Sequence, residues 1–105
     1  MMKLVLIKTT TESLSDAKKL SEQLIAQKLA ACVSIGTPIL SHYVWQNQTH
    51  WSDEYPILIK TNEIKQSSVL NFLKHHHPYD TPEINCILVD DTNTDYLQWV
   101  NDTLS

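Results

Sequence analysis

The pattern that most constrains this chain is the way its apolar spacing alternates between a period of two and a helical period. Residues 3–8 form a β-branched and leucine run that reads as a strand, and a turn of threonines follows it. Ser13 stands where a helix N-cap would, with Asp16 three residues on. Leu14, Ala17, Leu20, Leu24 and Ile25 then recur on one helical face, with Lys18, Lys19, Glu22 and Gln23 on the other, predicting a helix over 14–28. Residues 31–35 read as a buried strand. Gly36, the only glycine, and Pro38 mark a bulge or bend. Extended structure resumes over 39–45, with Ser41, Tyr43 and Trp45 on one face and Leu40, His42 and Val44 on the other. A polar hairpin loop is expected at 46–50 and a returning strand at 51–61.

A second helix is predicted over 63–76, with Val69, Leu70 and Leu73 inward, and Pro78 ends it. Residues 83–89 read as the next strand. Asn93 or Thr94 then caps a last helix carrying Tyr96, Leu97, Val100 and Leu104 on one side. The order strand, helix, strand, strand, helix, strand, helix predicts an α+β fold. It is the ferredoxin-like split β-α-β arrangement with an additional C-terminal helix. A sheet with helices on one face leaves its other face open, and exposed aromatic rings and unpaired edges there favour an oligomer.

The chain has 105 residues, so 1–105 is read as a single domain. Apolar residues at 42% and charged residues at 19% fit a folded protein. The net charge is −4, and no lysine run forms the basic stripe that nucleic acid requires. No stretch of about 20 apolar residues exists to cross a membrane, and residues 1–8 are too short for a signal peptide. Cys32 and Cys86 each sit in an apolar run and are expected to be buried, reduced thiols. These features point to a cytoplasmic protein.

Chemistry is sparse. His75, His76 and His77 adjoin, and imidazole with a free thiolate suits copper or zinc. Consecutive residues at a helix end diverge, however, and histidine there is also favoured by the helix dipole. Asp90, Asp91 and Asp95 precede the last helix, where carboxylates stabilise its N-terminus or attract a hard cation. One glycine cannot build a glycine-rich phosphate cradle, and Cys32 between Ala31 and Val33 lacks the setting of a reactive thiol. No enzymatic role is expected.

Five stretches, in order and covering nearly the whole chain, resemble the CutA divalent-cation tolerance family. They are Lys28-Leu29-Ala30-Ala31-Cys32-Val33-Ser34-Ile35; Ser41, Tyr43 and Trp45 at alternate positions; Glu54 followed by Ile57-Leu58-Ile59-Lys60-Thr61; His77-Pro78-Tyr79 with Pro82-Glu83-Ile84; and Tyr96-Leu97 with Trp99. The resemblance implies a ferredoxin-like subunit in a PII-like homotrimer with clefts between neighbours, open to a small ligand or a protein partner. It implies no catalysed reaction and no required cofactor. Copper or another divalent cation is the implied ligand, with Cys32 and His77 matching the residues to which copper binding is attributed. A further cysteine found in some relatives is replaced here by Lys8-Thr9, the family's hairpin glycine by Asn47, and an asparagine by Ser34. Pro78 and Pro82 fix the backbone that presents Tyr79 and Glu83, giving, with Trp45 and Lys60, a candidate cleft. The same residues serve equally to seal a subunit interface, with Lys60 and Glu83 paired.

Overall fold

One strand organises the subunit. In the computed structural model, which describes residues 2–105, the elements run β1 (Leu4–Thr11), α1 (Leu14–Ala26), β2 (Cys32–Ile35), β3 (Ile39–Trp45), β4 (Gln48–Asn62), α2 (Gln66–His76), β5 (Asn85–Leu88) and α3 (Thr94–Leu104). Met1 lies outside the described residues. β4 is 15 residues long and pairs antiparallel with β1, β2 and β3. The sheet order is β2-β4-β1-β5, which is the ferredoxin-like arrangement, and β3 pairs with the first half of β4 alone. That half projects as a two-stranded arm, and the described subunit measures 46 × 26 × 23 Å.

The break between β2 and β3 falls at the predicted bend. Gly36 N–H donates to the Pro56 carbonyl at 2.9 Å. A Cβ on Gly36 would stand 2.8 Å from Cγ of Pro56. The only glycine is therefore required by close approach to a rigid ring. The predicted loop over 46–50 is a tighter structure. Gln46 and Asn47 alone form the turn, with φ of 51° and 63°, and Trp45 already pairs with Gln48. Two successive left-handed residues match the right-handed twist of a hairpin, and asparagine tolerates that region better than most residues.

The helices are shorter than their periodicity implied. Ser13 caps α1 as expected, its hydroxyl accepting Asp16 N–H at 3.0 Å. The helix stops at Ala26 because Lys28 adopts φ 55° and Leu29 N–H returns to the Leu24 carbonyl. α2 begins at Gln66 and not at 63, since Asn62 holds a turn by accepting Lys65 N–H through its carbonyl and side chain, both at 3.2 Å.

Alternation along β1 sorts the two faces of the sheet. Val5 and Ile7, with Ile57 and Ile59, meet Ala17, Leu20 and Leu24 of α1 and Val69, Phe72 and Leu73 of α2 in the main core. Leu4 faces the other way and packs with Val100 and Leu104 of α3, with Leu6 and Leu97 alongside. The expectation of helices on one face is thus corrected: α3 covers one end of the second face. The reason is the strand's alternation, since Leu4 and Leu6 are as apolar as Val5 and Ile7 and need their own cover.

Gly36→Ala is expected to destabilise the fold by about 1–3 kcal/mol, because the proline ring cannot swing aside. Urea unfolding of the two proteins measures it, and unchanged stability would show that β2 and β4 separate freely.

Candidate functional site

The residues on the second face beyond α3 build the site. β4 carries Glu54 opposite Ile39, and the pairs Ser41–Ser52 and Tyr43–His50 continue along the same side of the arm. The segment between α2 and β5 approaches from the far edge of β1. β5 pairs only with residues 5–8 of β1, leaving the Thr9–Thr11 edge without a strand. His77 takes that place.

His77 is buried. Its Nδ1 accepts Tyr79 N–H at 3.1 Å, so Nε2 carries the hydrogen. Nε2 lies 2.9 Å from the Thr10 carbonyl and 3.0 Å from the Thr9 hydroxyl. Burial pushes the imidazole below its ordinary value of 6.5, against the opposing pull of the Thr10 bond and of Asp16 and Glu54. Tyr79 passes the edge and donates its phenol to Glu54 Oε2 at 2.8 Å, and Thr10 Oγ1 donates to the same oxygen at 2.8 Å. Burial raises the pKa of Glu54, but hydrogen bonds from Ser41, Thr10 and Tyr79 and the nearby His77 outweigh it. The carboxyl therefore stays below its ordinary 4.5. The Tyr79 phenol is driven far above its usual range by burial and then by Glu54.

This network forms the floor of a cleft of about 720 Å³. Tyr43, Trp45 and Tyr79 supply rings, and Glu12, Glu54, Asp80 and Glu83 supply carboxylates. Three of the five residues assigned to a cleft from sequence are therefore together: Trp45, Tyr79 and Glu83. Pro82 is half-buried and does not line the cavity, and Lys60 lies elsewhere. Lys60 Nζ donates to Ser34 Oγ and reaches Cys32 Sγ at 3.7 Å. Glu83 accepts instead from Asn85 at 2.7 Å, so the expected Lys60–Glu83 pair does not form. The lysine leans toward its neighbours across the β2–β4 register, where Cys32 sits directly opposite it.

The two candidate metal ligands do not converge within a chain. Cys32 pairs with Lys60, and Lys60 with Leu6, which puts the thiol on the α3 face. Tyr96 of α3 lies near it, its phenol raised by burial and then by Cys32. His77 meets Thr9, whose side chain points to the opposite face, and both of its ring nitrogens are already engaged. Among the described residues, no three His, Cys, Asp or Glu side chains form a cation-holding group. The residues within one chain therefore do not fit a shared copper ion. The thiols are also less enclosed than expected. Cys32 and Cys86 are both half-buried and free, and Cys86 lies across the sheet from Cys32, packed against the main core.

Glu54 lies within a sequence motif, yet nothing local marks it as the centre of the site, nor Thr10, Glu12, Ser41, Tyr43, His50 and Asp80 as its lining. The shared face of Ser41, Tyr43 and Trp45 was the available signal. What it lacked was the β3–β4 register that puts Glu54 at the base of that face.

A split β-α-β sheet with a projecting arm, a third helix on its second face and a pocket at the arm's root defines a ferredoxin-like α+β protein. The chain belongs to the family described as CutA1 divalent ion tolerance protein, which it matches over residues 5–103. It is 35% identical over 100 residues to the divalent-cation tolerance protein CutA of Yersinia pestis, covering 95% of this chain and 84% of that one. The structure of CutA1 from Ehrlichia chaffeensis superposes with a TM-score of 0.95 at 37% identity, over 100% of this chain and 98% of that one. CutA from Archaeoglobus fulgidus, described as periplasmic, gives 0.92 at 31% identity over 97% and 99%.

Tyr79→Phe removes a charge-assisted bond and is expected to cost about 1.5–3 kcal/mol in urea unfolding. Acidification acts in the same direction. Glu54 is lowered in the fold, so its contribution is present above the ordinary carboxylate value and lost as pH falls through the folded one. His77 is held neutral, so its contribution is present above 6.5 and declines below it. Unfolding free energy measured from pH 7.5 to 4 should therefore fall, and in His77→Asn the part of that fall near pH 6 should be missing.

Proposed function

We propose that this protein serves divalent-cation tolerance as a homotrimer that binds ligands and catalyses no reaction. The observation that carries the reading is the arm. Leu40 and Trp51 are 65% and 64% exposed on its outer side, where His42 stacks on Trp51 at 3.9 Å between ring centres, and Val44, which also borders the cleft, is 69% exposed. β3 also presents a free edge, because it pairs with β4 alone. An apolar arm with an unpaired edge is stable in solution when another copy covers it. Copies joined in a closed ring cover every arm alike. In this reading the cleft at the arm's root is the ligand site, lying where a neighbouring copy would bound it.

The non-catalytic part is supported by the separation of Cys32 from His77, which lie on opposite faces of the sheet and so cannot act as a thiol–imidazole pair within one chain. Metal binding becomes incidental to the cleft. A cytoplasmic location is favoured by the two free thiols on opposite faces of the sheet, which cannot pair within the chain. No helix of the described residues is long and apolar enough to cross a membrane.

Sedimentation equilibrium should return three times the 12.1 kDa chain mass, and Leu40→Asp with Trp51→Asp should lower it toward one. A monomer in the unaltered protein would overturn the assembly. Copper(II) calorimetry separates the two binding readings. The intact protein, Cys32→Ser and His77→Ala are expected to bind weakly and alike. A saturable site lost in both variants would instead require neighbouring subunits to bring the thiol and the imidazole together.

A further inference from the structure

Taking the cleft as a ligand site, as proposed above, its walls define what it accepts. Its volume of about 720 Å³ lies in the range of small-molecule pockets, roughly 300–1,000 Å³, and far exceeds what one metal ion fills. A metal ion also needs oxygens converging at about 2.0–2.6 Å, and no such group exists among the described residues. The pocket is a space for a molecule.

The walls that one chain contributes favour a molecule with positive charge. No lysine lines the cleft, and the chain contains no arginine. Lys60, the one lysine that sequence placed here, is turned to Ser34 and Cys32. Phosphates and nucleotides would meet four carboxylates, Glu12, Glu54, Asp80 and Glu83, against the single imidazole of His50, with no lysine, arginine or glycine cradle to hold them, Gly36 being absent from the lining. The rings are the second, independent element. Trp45 and Tyr43 are each about two-fifths exposed, and Tyr79 is locked by its bond to Glu54. An ammonium group over such ring faces is attracted by their quadrupoles, and its carbon substituents bury against them. The carboxylate of Glu54 is already neutralised in part by two hydroxyl donors, so it holds the ring of Tyr79 in place. Asp80 at the rim remains for the ligand, as does the Glu83 oxygen that Asn85 does not engage.

We propose that the cleft binds a small organic cation, a molecule bearing a primary or quaternary ammonium group on a short carbon skeleton, and rejects anionic nucleotides. The test is calorimetry of the unaltered assembled protein with choline, putrescine and ATP at moderate salt, repeated with Trp45→Ala and Glu83→Gln. Saturable uptake of choline or putrescine is expected, weakened tenfold or more by Trp45→Ala and several-fold by Glu83→Gln, with no uptake of ATP. Glu83 is exposed at the rim, so its variant keeps the test informative even where Trp45→Ala disturbs assembly. Amine uptake untouched by both variants would place the ligand on the general acidic surface and overturn the proposal. Saturable ATP binding that Trp45→Ala removes would keep the cleft as a ligand site and overturn the cationic class alone. Failure of all three probes would remove both the cationic class and the cleft reading on which it rests.

Discussion

Everything in this subunit depends on the register of β4. The strand pairs Ile59 with Ile7 and with Val33, and a slip of one residue would turn each of those side chains to the opposite face. The buried isoleucines fix that register by their need for the core, and the close contact of Gly36 with Pro56 leaves β2 no second position. Because β4 continues past the sheet, the same register is carried into the arm. Glu54 therefore faces the Tyr79 segment as a consequence of where Ile57 and Ile59 are buried.

The cleft inherits its stiffness from that constraint. A loop of eight residues between α2 and β5 would ordinarily be mobile. Here His77 supplies, to the edge of β1 that β5 does not reach, the hydrogen bond a strand would have made. Tyr79 then ties the loop to β4 through Glu54. A half-buried carboxylate still loses hydration, and this one is given donors from β1 and the loop, with Ser41 of β3 beside it. The polar network thus links the sheet, the arm and the loop at a single oxygen.

The two residues proposed for copper illustrate how spacing along a chain misleads about space. Cys32 and His77 each belong to a recognisable motif, and both motifs appear in the structure where they were expected. Between them lies the thickness of the sheet. Alternation along β2 aims the thiol at α3, while the turn after α2 drives the imidazole under the threonines of β1. Lys60 differs from its expected place for a related reason: order along the chain puts it near the cleft, and its side chain instead follows its cross-strand partners.

The sequence by itself determined the element order, the N-cap at Ser13, the bend at Gly36, the two faces of the arm and the family. Each is a local property, set by side-chain periodicity, by φ preference or by a motif within a short span. The same local patterns singled out Trp45, Tyr79 and Glu83 as cleft candidates, and the fold places the three along one cavity. Only the tertiary structure decided that α3 closes the second face and that Cys32 and His77 stand apart. It alone made Glu54 the hub of the site and gave the cleft four carboxylates and no lysine. These depend on strand register and on which edge a loop crosses, and both are settled by contacts between residues distant along the chain.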